Sequence, residues 1–413
     1  MAEVKKRFDA LMKIDVEAKQ GKQKLQSSFL ALRRLVLFRG IGAPTKNTDN
    51  KTKFRGQLWK LMTGVLFTEN ENPVDEYLKE IKKGKATVKT SDGRSSYEAI
   101  RDDSFRTMKG ATLFDVAVEE PKIIRVLNSY VQRSNKAYNQ GMNTILCPFL
   151  VCMNELDAFH CFYHLLEKMT PTYWMSYKRK GIGTSKGFYL GARAACRLAD
   201  KILREVDPEL HESLMDSETI RNNSEKITGH TPGKSQAEVF HQLYTFRHMQ
   251  VFSLVARPLG EVIKLWDLFF ALGMHMHVVA YVAQLMLIRH RLMESGAKIN
   301  KILSQEAWPE LNAREVTSLT TYLMPKLSDS LIEELKNHVT DRELCLRLVD
   351  WTPTTADMRF GSERRRTKSI GDKIMMLGVL AESERPRSSH KSRPPRYARH
   401  RSTAASPGNC MLS

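Results

Sequence analysis

The 413-residue sequence predicts an all-α fold followed by a basic tail. Between Phe114 and Val349, apolar residues recur at the spacing of helices, and few segments alternate with a period of two. Proline and glycine interrupt this pattern at intervals that are typical of turns between helices. With 42% hydrophobic and 27% charged residues, most of the chain has the composition of a globular protein.

The N-terminal residues 1–31 predict a helical extension, which is broken near the polar stretch KQGKQK. The opening MAEVKKRFDALMK is charged from its third residue onward and lacks the apolar stretch of a signal peptide. We therefore expect a cytoplasmic protein.

The segment from Leu268 to Ile288 contains 21 residues without a formal charge, about the length of a membrane span. It also contains Gly273, two histidines and a glutamine, and the pair Trp266-Asp267 precedes it within the same apolar pattern. These polar residues favour two core helices that meet near Gly273.

Much of the net charge of +19 lies at the C-terminal end. Residues 361–413 contain 12 Lys or Arg and 4 Asp or Glu, a balance of 12 − 4 = +8. Being rich in Arg, Ser and Pro and poor in aliphatic residues, this low-complexity tail is predicted to be mostly disordered. The body shows no basic stripe interleaved with aromatic residues, so we do not expect nucleic acid as the partner.

The last four residues, CMLS, match the C-a-a-X pattern for farnesylation at Cys410, with basic sequence upstream. A prenyl chain together with basic residues supplies the two signals that stable membrane contact requires. A chance match of a four-residue pattern is the other interpretation, and both stay open.

The six cysteines form no CxxC pair, and the cluster of His160, Cys161 and His164 has no further ligand nearby in sequence. Neither a metal site nor a disulfide framework is predicted. Cys147, Cys152 and Cys161 lie among aliphatic residues, which is typical of small core residues. The Gly-Lys-Ser of residues 233–235 lacks the spacing of a phosphate loop and is interpreted as a polar loop.

Two polar stretches stand out in the helical body. In AIRDDSFRTMKG, residues 99–110, the group Asp102, Asp103 and Ser104 is typical of a solvated helix start, with Arg106 merely exposed. In YNQG, residues 138–141, Tyr138 and Gln140 precede a strongly apolar segment. Taken alone, this second stretch also indicates a helix start, with a structural tyrosine and a capping amide.

Three motifs in one order point beyond these separate interpretations. RGQLW contains Arg55 and Trp59, IRDDSFRT contains Asp103 and Arg106, and YNQG follows. Together they resemble the RxxxW, IxxDxxRT and YxQ signatures of the TBC-domain family of GTPase-activating proteins. RPLGEVIKLWDLFFALG is similar to the family's tryptophan-aspartate helix. The stretch YNQGMNTILCPFL is among those that look like the mitotic-exit and septation checkpoint branch.

The resemblance implies a TBC domain over residues 32–350, built of two helical lobes with a catalytic groove. It implies that Arg106 is an arginine finger and Gln140 a glutamine finger, both acting in trans on a partner GTPase. Arginine suits this role because its guanidinium is always charged and can bridge two phosphate oxygens. A neutral amide can both accept from and donate to a water. Asp103, Tyr138, Arg55 and Trp59 are implied to support the two fingers.

The implied partner is a GTP-bound Rab-like or other Ras-superfamily small GTPase, together with a checkpoint scaffold subunit. GTP and magnesium would belong to that GTPase, so we expect no cofactor and no independent catalytic activity of this chain. The implied locations are the cytoplasm and spindle poles, centrosomes or basal bodies, with membrane contact through the tail. A module that binds a GTPase or scaffold without accelerating hydrolysis is the alternative.

Overall fold

Helices make up nearly all of the regular structure in the part of the chain that the computed structural model describes. The described residues are 1–15, 20–42, 50–67, 72–111, 118–177, 188–216, 236–295, 299–304 and 308–350. The basic tail with Cys410 and the Gly-Lys-Ser loop lie outside these ranges. Prenylation of Cys410 therefore stays a prediction, which mass spectrometry of the native C-terminal peptide can check.

The first half of the described chain contains eight α-helices. They are α1 (Ala2–Leu11), α2 (Gly21–Arg39), α3 (Asn50–Met62), α4 (Pro73–Lys82), α5 (Ser96–Arg106), α6 (Glu120–Ser134), α7 (Met142–Cys152) and α8 (Glu155–His164). A 3-10 turn, Val65–Phe67, follows α3, and a π-helical turn, Leu165–Met169, extends α8.

The second half begins with a 3-10 turn, Pro171–Trp174, and two short antiparallel strands, β1 (Ser176–Tyr177) and β2 (Phe188–Tyr189). The helices that follow are α9 (Leu190–Val206), α10 (Pro208–Met215), α11 (Gln236–Phe240), α12 (Phe246–Gln250), α13 (Leu259–Leu272), α14 (Met276–Leu287), α15 (Arg289–Ser295), α16 (Ile299–Leu303), α17 (Ala313–Leu323), α18 (Asp329–Asn337) and α19 (Arg342–Asp350). A π-helical turn, His241–Thr245, joins α11 to α12, and a 3-10 turn, Met324–Lys326, follows α17. The all-α prediction is confirmed.

The helices pack in two groups. In the first, α4, α5, α7 and α8 surround α6. In the second, α9 is central and contacts α10, α12, α14, α18 and α19. Helix α13 connects the parts of the fold, because it packs on α2 and α3 as well as on α14 and α17. Helix α2 also packs on α1. It continues past residue 31, the predicted end of the N-terminal extension.

The apolar segment that begins at Leu268 is divided between α13 and α14. Gly273 lies between them with a φ of +120°, where a Cβ atom would lie 2.5 Å from the ring of His275. The interpretation as two core helices is confirmed. In the described ranges, the structure contains no helix with the length and apolar character that a membrane crossing needs.

The predicted core cysteines, Cys147, Cys152 and Cys161, are buried with free thiols. Burial raises the pKa of Cys152 and of Cys161 to about 12, so both are neutral at physiological pH. Their interpretation as small core residues is confirmed.

Candidate functional site

Helix α5 begins earlier than its acidic residues suggest. Ser95 is the N-cap: its hydroxyl accepts a hydrogen bond from the Glu98 N–H, while the Glu98 carboxylate accepts one from the Ser95 N–H. Because this capping box already starts the helix, Asp102 and Asp103 lie in its later turns, and their interpretation as a helix start is wrong. Helix α5 instead ends at Arg106.

The carboxylate of Asp103 connects the arginine and tyrosine motifs. One of its oxygens accepts a hydrogen bond from Nη2 of Arg106, and the other accepts one from the Tyr138 hydroxyl at 2.9 Å. The side chain of Asp103 is 9% exposed, whereas that of Arg106 is 64% exposed. The guanidinium is therefore held at one edge, while most of it faces solvent.

Tyr138 is buried between the two motifs. Its main-chain N–H donates to the hydroxyl of Ser96, the first residue of α5, at 3.0 Å. Burial, reinforced by the nearby Asp103 carboxylate, raises the pKa of Tyr138 well above its usual value. The phenol is thus neutral at physiological pH and acts as the donor to Asp103.

Gln140 lies in the turn that leads into α7. The N-cap of α7 is Gly141, with a φ of +105°, and no side chain caps this helix. Gln140 is therefore not a capping amide; it is exposed. Its main-chain carbonyl accepts a hydrogen bond from Nε2 of Gln250 at 2.7 Å.

A single amide connects the ends of the two finger motifs. The Asn143 oxygen Oδ1 accepts from the Gly141 N–H at 3.1 Å, and its Nδ2 donates to Oγ1 of Thr107 at 2.8 Å. Thr107 follows Arg106, and Gly141 follows Gln140. Asn143 therefore fixes the main chain after Arg106 relative to the main chain after Gln140.

Arg55 and Trp59 on α3 meet Asp267 on α13. Nε of Arg55 donates to Oδ1 of Asp267 at 3.0 Å, and Nε1 of Trp59 donates to the same oxygen at 2.8 Å. All three residues are buried. Burial raises the pKa of Asp267, although the Arg55 guanidinium opposes this shift. The structure thus places Arg55 in a buried ion pair with Asp267, and Trp59 donates a hydrogen bond to the same carboxylate.

The sequence motifs include Asp267 in the tryptophan-aspartate helix but assign it no partner, and they do not identify Asn143 or Ser96. Asp267 carried a readable signal, since a carboxylate between Trp266 and the apolar residues 268–272 needs a buried partner. Asn143 lies in a similar position, two residues into the apolar helix α7. Ser96 gave no such signal, because serine next to a helix start is common.

The arrangement presents two exposed polar groups on a braced main chain, a guanidinium and a neutral amide. A guanidinium is suited to stabilising negative charge on phosphoryl oxygens. An amide that has no partner among the described side chains can hold a water molecule.

Comparison with known proteins identifies the family of this chain. The family model Rab-GTPase-TBC domain matches residues 52–293, more than half of the chain. The chain is 29% identical over 335 residues to the putative mitotic check point protein BUB2 of Dictyostelium discoideum, covering 79% of this chain and 77% of that protein. It is 28% identical over 334 residues to the mitotic check point protein BUB2 of Saccharomyces cerevisiae, covering 78% and 94%.

Among solved structures, the Ypt/Rab-GAP domain of Gyp1p matches with a TM-score of 0.44 and 16% identity, covering 78% of this chain and 98% of that one. Family membership rests on the family model, and the range that it matches includes all three motifs from Arg55 to Gln140. The chain is therefore a member of the Rab-GTPase-TBC domain family.

Proposed function

We propose that this protein accelerates GTP hydrolysis by a GTP-bound small GTPase of the Ras superfamily, with Arg106 and Gln140 acting in trans. The observation that carries the proposal is the exposed Arg106 guanidinium, which Asp103 holds at one edge. Tyr138 and Asn143 tie the same region to the turn of Gln140.

The proposed role of Arg106 is to neutralise charge that develops on the transferred phosphoryl group. Small GTPases hydrolyse GTP slowly by themselves, and an arginine supplied by a partner accelerates the reaction by roughly 10³- to 10⁵-fold. Because Asp103 holds one edge of the guanidinium, the free edge has fewer orientations to lose on binding, which lowers the entropic cost of the complex.

The proposed role of Gln140 is to orient the attacking water. Its exposed amide can accept from that water with its oxygen and donate with its nitrogen. GTP and its magnesium ion enter with the GTPase as substrate, so the chain would need no cofactor of its own.

The names of the relatives suggest the cellular setting. Two are mitotic check point proteins, and a third, from Schizosaccharomyces pombe, is named cell division control protein 16. We propose a role in a mitotic-exit or septation checkpoint, in the cytoplasm and at spindle poles or related microtubule-organising centres, together with a scaffold subunit.

The direct test is single-turnover GTP hydrolysis across a panel of purified GTP-loaded small GTPases. We expect the native protein to accelerate one or a few of them, and Arg106→Lys to lose a large part of the roughly 10³- to 10⁵-fold effect, because lysine cannot bridge two oxygens. Arg101→Lys is the matched control, since Arg101 is an exposed arginine of the same helix.

Equal stimulation by Arg106→Ala and by the native protein would contradict the catalytic role. If no GTPase responds, even with the proteins that co-purify from the source cell, the chain is instead a binding module.

A further inference from the structure

The side chain of Gln140 does not fix its own direction. It is exposed, and among the residues that the structure describes its amide has no hydrogen-bond partner. The direction in which this side chain leaves the main chain is therefore set by the backbone of residues 140 and 141, and by the groups that hold this backbone in place.

Two donors, one at the end of α12 and one in strand β2, reach the carbonyl oxygen of Gln140. Nε2 of Gln250 donates to it at 2.7 Å, and the hydroxyl of Tyr189 donates at 3.4 Å. Gln250 is the last residue of a continuous helical stretch, residues 236–250. Burial raises the pKa of Tyr189 to about 12, so its hydroxyl keeps its proton at neutral pH.

The position of Gln250 is itself well supported. Phe246 lies one turn before it on α12, and its ring packs against Tyr189 with a centroid distance of 6.0 Å. The guanidinium of Arg193 also lies over the Phe246 ring, 4.7 Å from its centroid. The two donors to Gln140 therefore belong to one packed unit.

Gly141 shows how closely Gln250 approaches the turn. A Cβ atom on Gly141 would lie 3.2 Å from Nε2 of Gln250 and 3.3 Å from Cγ1 of Val251. With a φ of +105° as well, the position favours glycine on both steric and conformational grounds. The same close approach brings the Gln250 amide within reach of the Gln140 carbonyl.

We propose that Gln250 is a positioning residue for the glutamine finger: its amide fixes the Gln140 carbonyl, and so the direction in which the Gln140 side chain leaves the main chain. The inference rests on the proposed function, because it assigns to Gln250 an effect that passes through Gln140. It also makes the glutamine finger depend on both helical groups, since the finger lies before α7 and its support lies at the end of α12.

The test uses Gln250→Glu, which keeps the size of the side chain and removes the N–H donor. With the GTPase that the native protein stimulates, we expect kcat to fall about tenfold, the effect of roughly one hydrogen bond on a reaction geometry. KM should stay unchanged, because the contact lies within this protein. Gln242→Glu is the matched control: it makes the same change at an exposed position of the same helical stretch, and we expect native kcat.

The decisive comparison is between Gln140→Ala and the double variant Gln140→Ala/Gln250→Glu. If Gln250 acts through Gln140, the second substitution adds no further loss once the finger is absent. An equal fall in kcat in both backgrounds, or native kcat for Gln250→Glu alone, would overturn the proposal. The urea midpoint of each variant separates these results from a loss of folding.

The same measurements keep the two proposals apart. If the native protein stimulates no GTPase, or if Gln140→Ala is as active as the native protein, the proposed function of Gln140 fails. If Gln140→Ala is impaired while Gln250→Glu behaves like the native protein, only the role of Gln250 fails.

Discussion

The buried carboxylate of Asp103 forms an ion pair with the exposed guanidinium of Arg106, which lies three residues later at the end of α5. The carboxylate is itself fixed by the hydroxyl of Tyr138. A long, flexible arginine is thereby given a preferred starting position, while the edge that Asp103 does not contact stays accessible.

This relationship predicts that Asp103→Asn lowers GTPase stimulation on the order of tenfold, because a neutral amide holds the guanidinium less strongly than a carboxylate does. Single-turnover hydrolysis gives the rate. Asp102→Asn is the matched control, as Asp102 is the exposed neighbour on the same helix, and we expect it to behave like the native protein. Equal rates for the two variants would contradict the role of Asp103.

The buried pair of Arg55 and Asp267 predicts a large effect on stability. Arg55→Met leaves an unpaired carboxylate in the core, and we expect the free energy of unfolding to fall by about 3–5 kcal/mol. Urea denaturation measures it. Lys336→Met, which breaks an exposed ion pair with Glu333, should change stability little. If Arg55→Met is as stable as that control, the buried pair does not contribute as we argue.

Buried histidines predict acid sensitivity. Burial lowers the pKa of His241, His248 and His277 to about 3 each. In the unfolded chain these groups bind protons below about pH 6.5, but in the folded protein only near pH 3. Above pH 6.5 these histidines are neutral in both states, and the free energy of unfolding has its full value. As the pH falls from 6.5 towards 3, the unfolded chain binds protons that the folded protein does not. The free energy of unfolding then falls by up to about 1.4 kcal/mol per pH unit for each histidine.

His248→Phe tests this assignment. The His248 ring packs on Trp308 at a centroid distance of 4.4 Å, so an aromatic ring without a titrating group keeps the packing. Urea denaturation at pH 7.5 and pH 5.5 should show a smaller loss of stability in the variant than in the native protein. The same loss in both proteins would mean that His248 is not the titrating group.

Phe105 lies directly before Arg106, and its side chain is left in solvent: the residue is 63% exposed, with the Lys109 ammonium 3.2 Å from the ring centroid. If Arg106 reaches a bound GTPase, Phe105 should be buried by the same contact. We expect Phe105→Ala to raise KM by roughly 10- to 150-fold with kcat nearly unchanged, because burying a phenylalanine contributes roughly 1.5–3 kcal/mol. Phe38→Ala is the control, since Phe38 is 85% exposed on α2, and it should leave KM unchanged.

The local features of the fold could be predicted from the sequence. The helical character, the two helices on either side of Gly273 and the burial of Cys147 follow from apolar spacing and from turn residues close in the chain. The start of α5 was missed, although Ser95 and Glu98 form a capping box that the sequence contains. The acidic pair Asp102 and Asp103 indicated a helix start seven residues after the N-cap that the structure shows, Ser95.

The site could be predicted only as a set of motif residues. Arg106, Asp103, Tyr138 and Gln140 were identified through motif order, but nothing in the motifs says that one carboxylate binds both the arginine and the tyrosine. The motifs likewise predict Arg55 and Trp59 as supports of the fingers, but they do not say that both side chains donate to Asp267.

Sequence patterns were enough to predict the helical class, the family, and the residues that present a guanidinium and an amide. Contacts between residues far apart in the chain appear only in the folded structure: Arg55 binds Asp267, 212 residues later, and the Gln140 carbonyl accepts from Gln250, 110 residues later. Apolar periodicity predicts which face of each helix is buried, but it does not specify which other helix packs against that face. A hydrogen bond of about 3 Å exists only once the packing of whole helices has placed both partners.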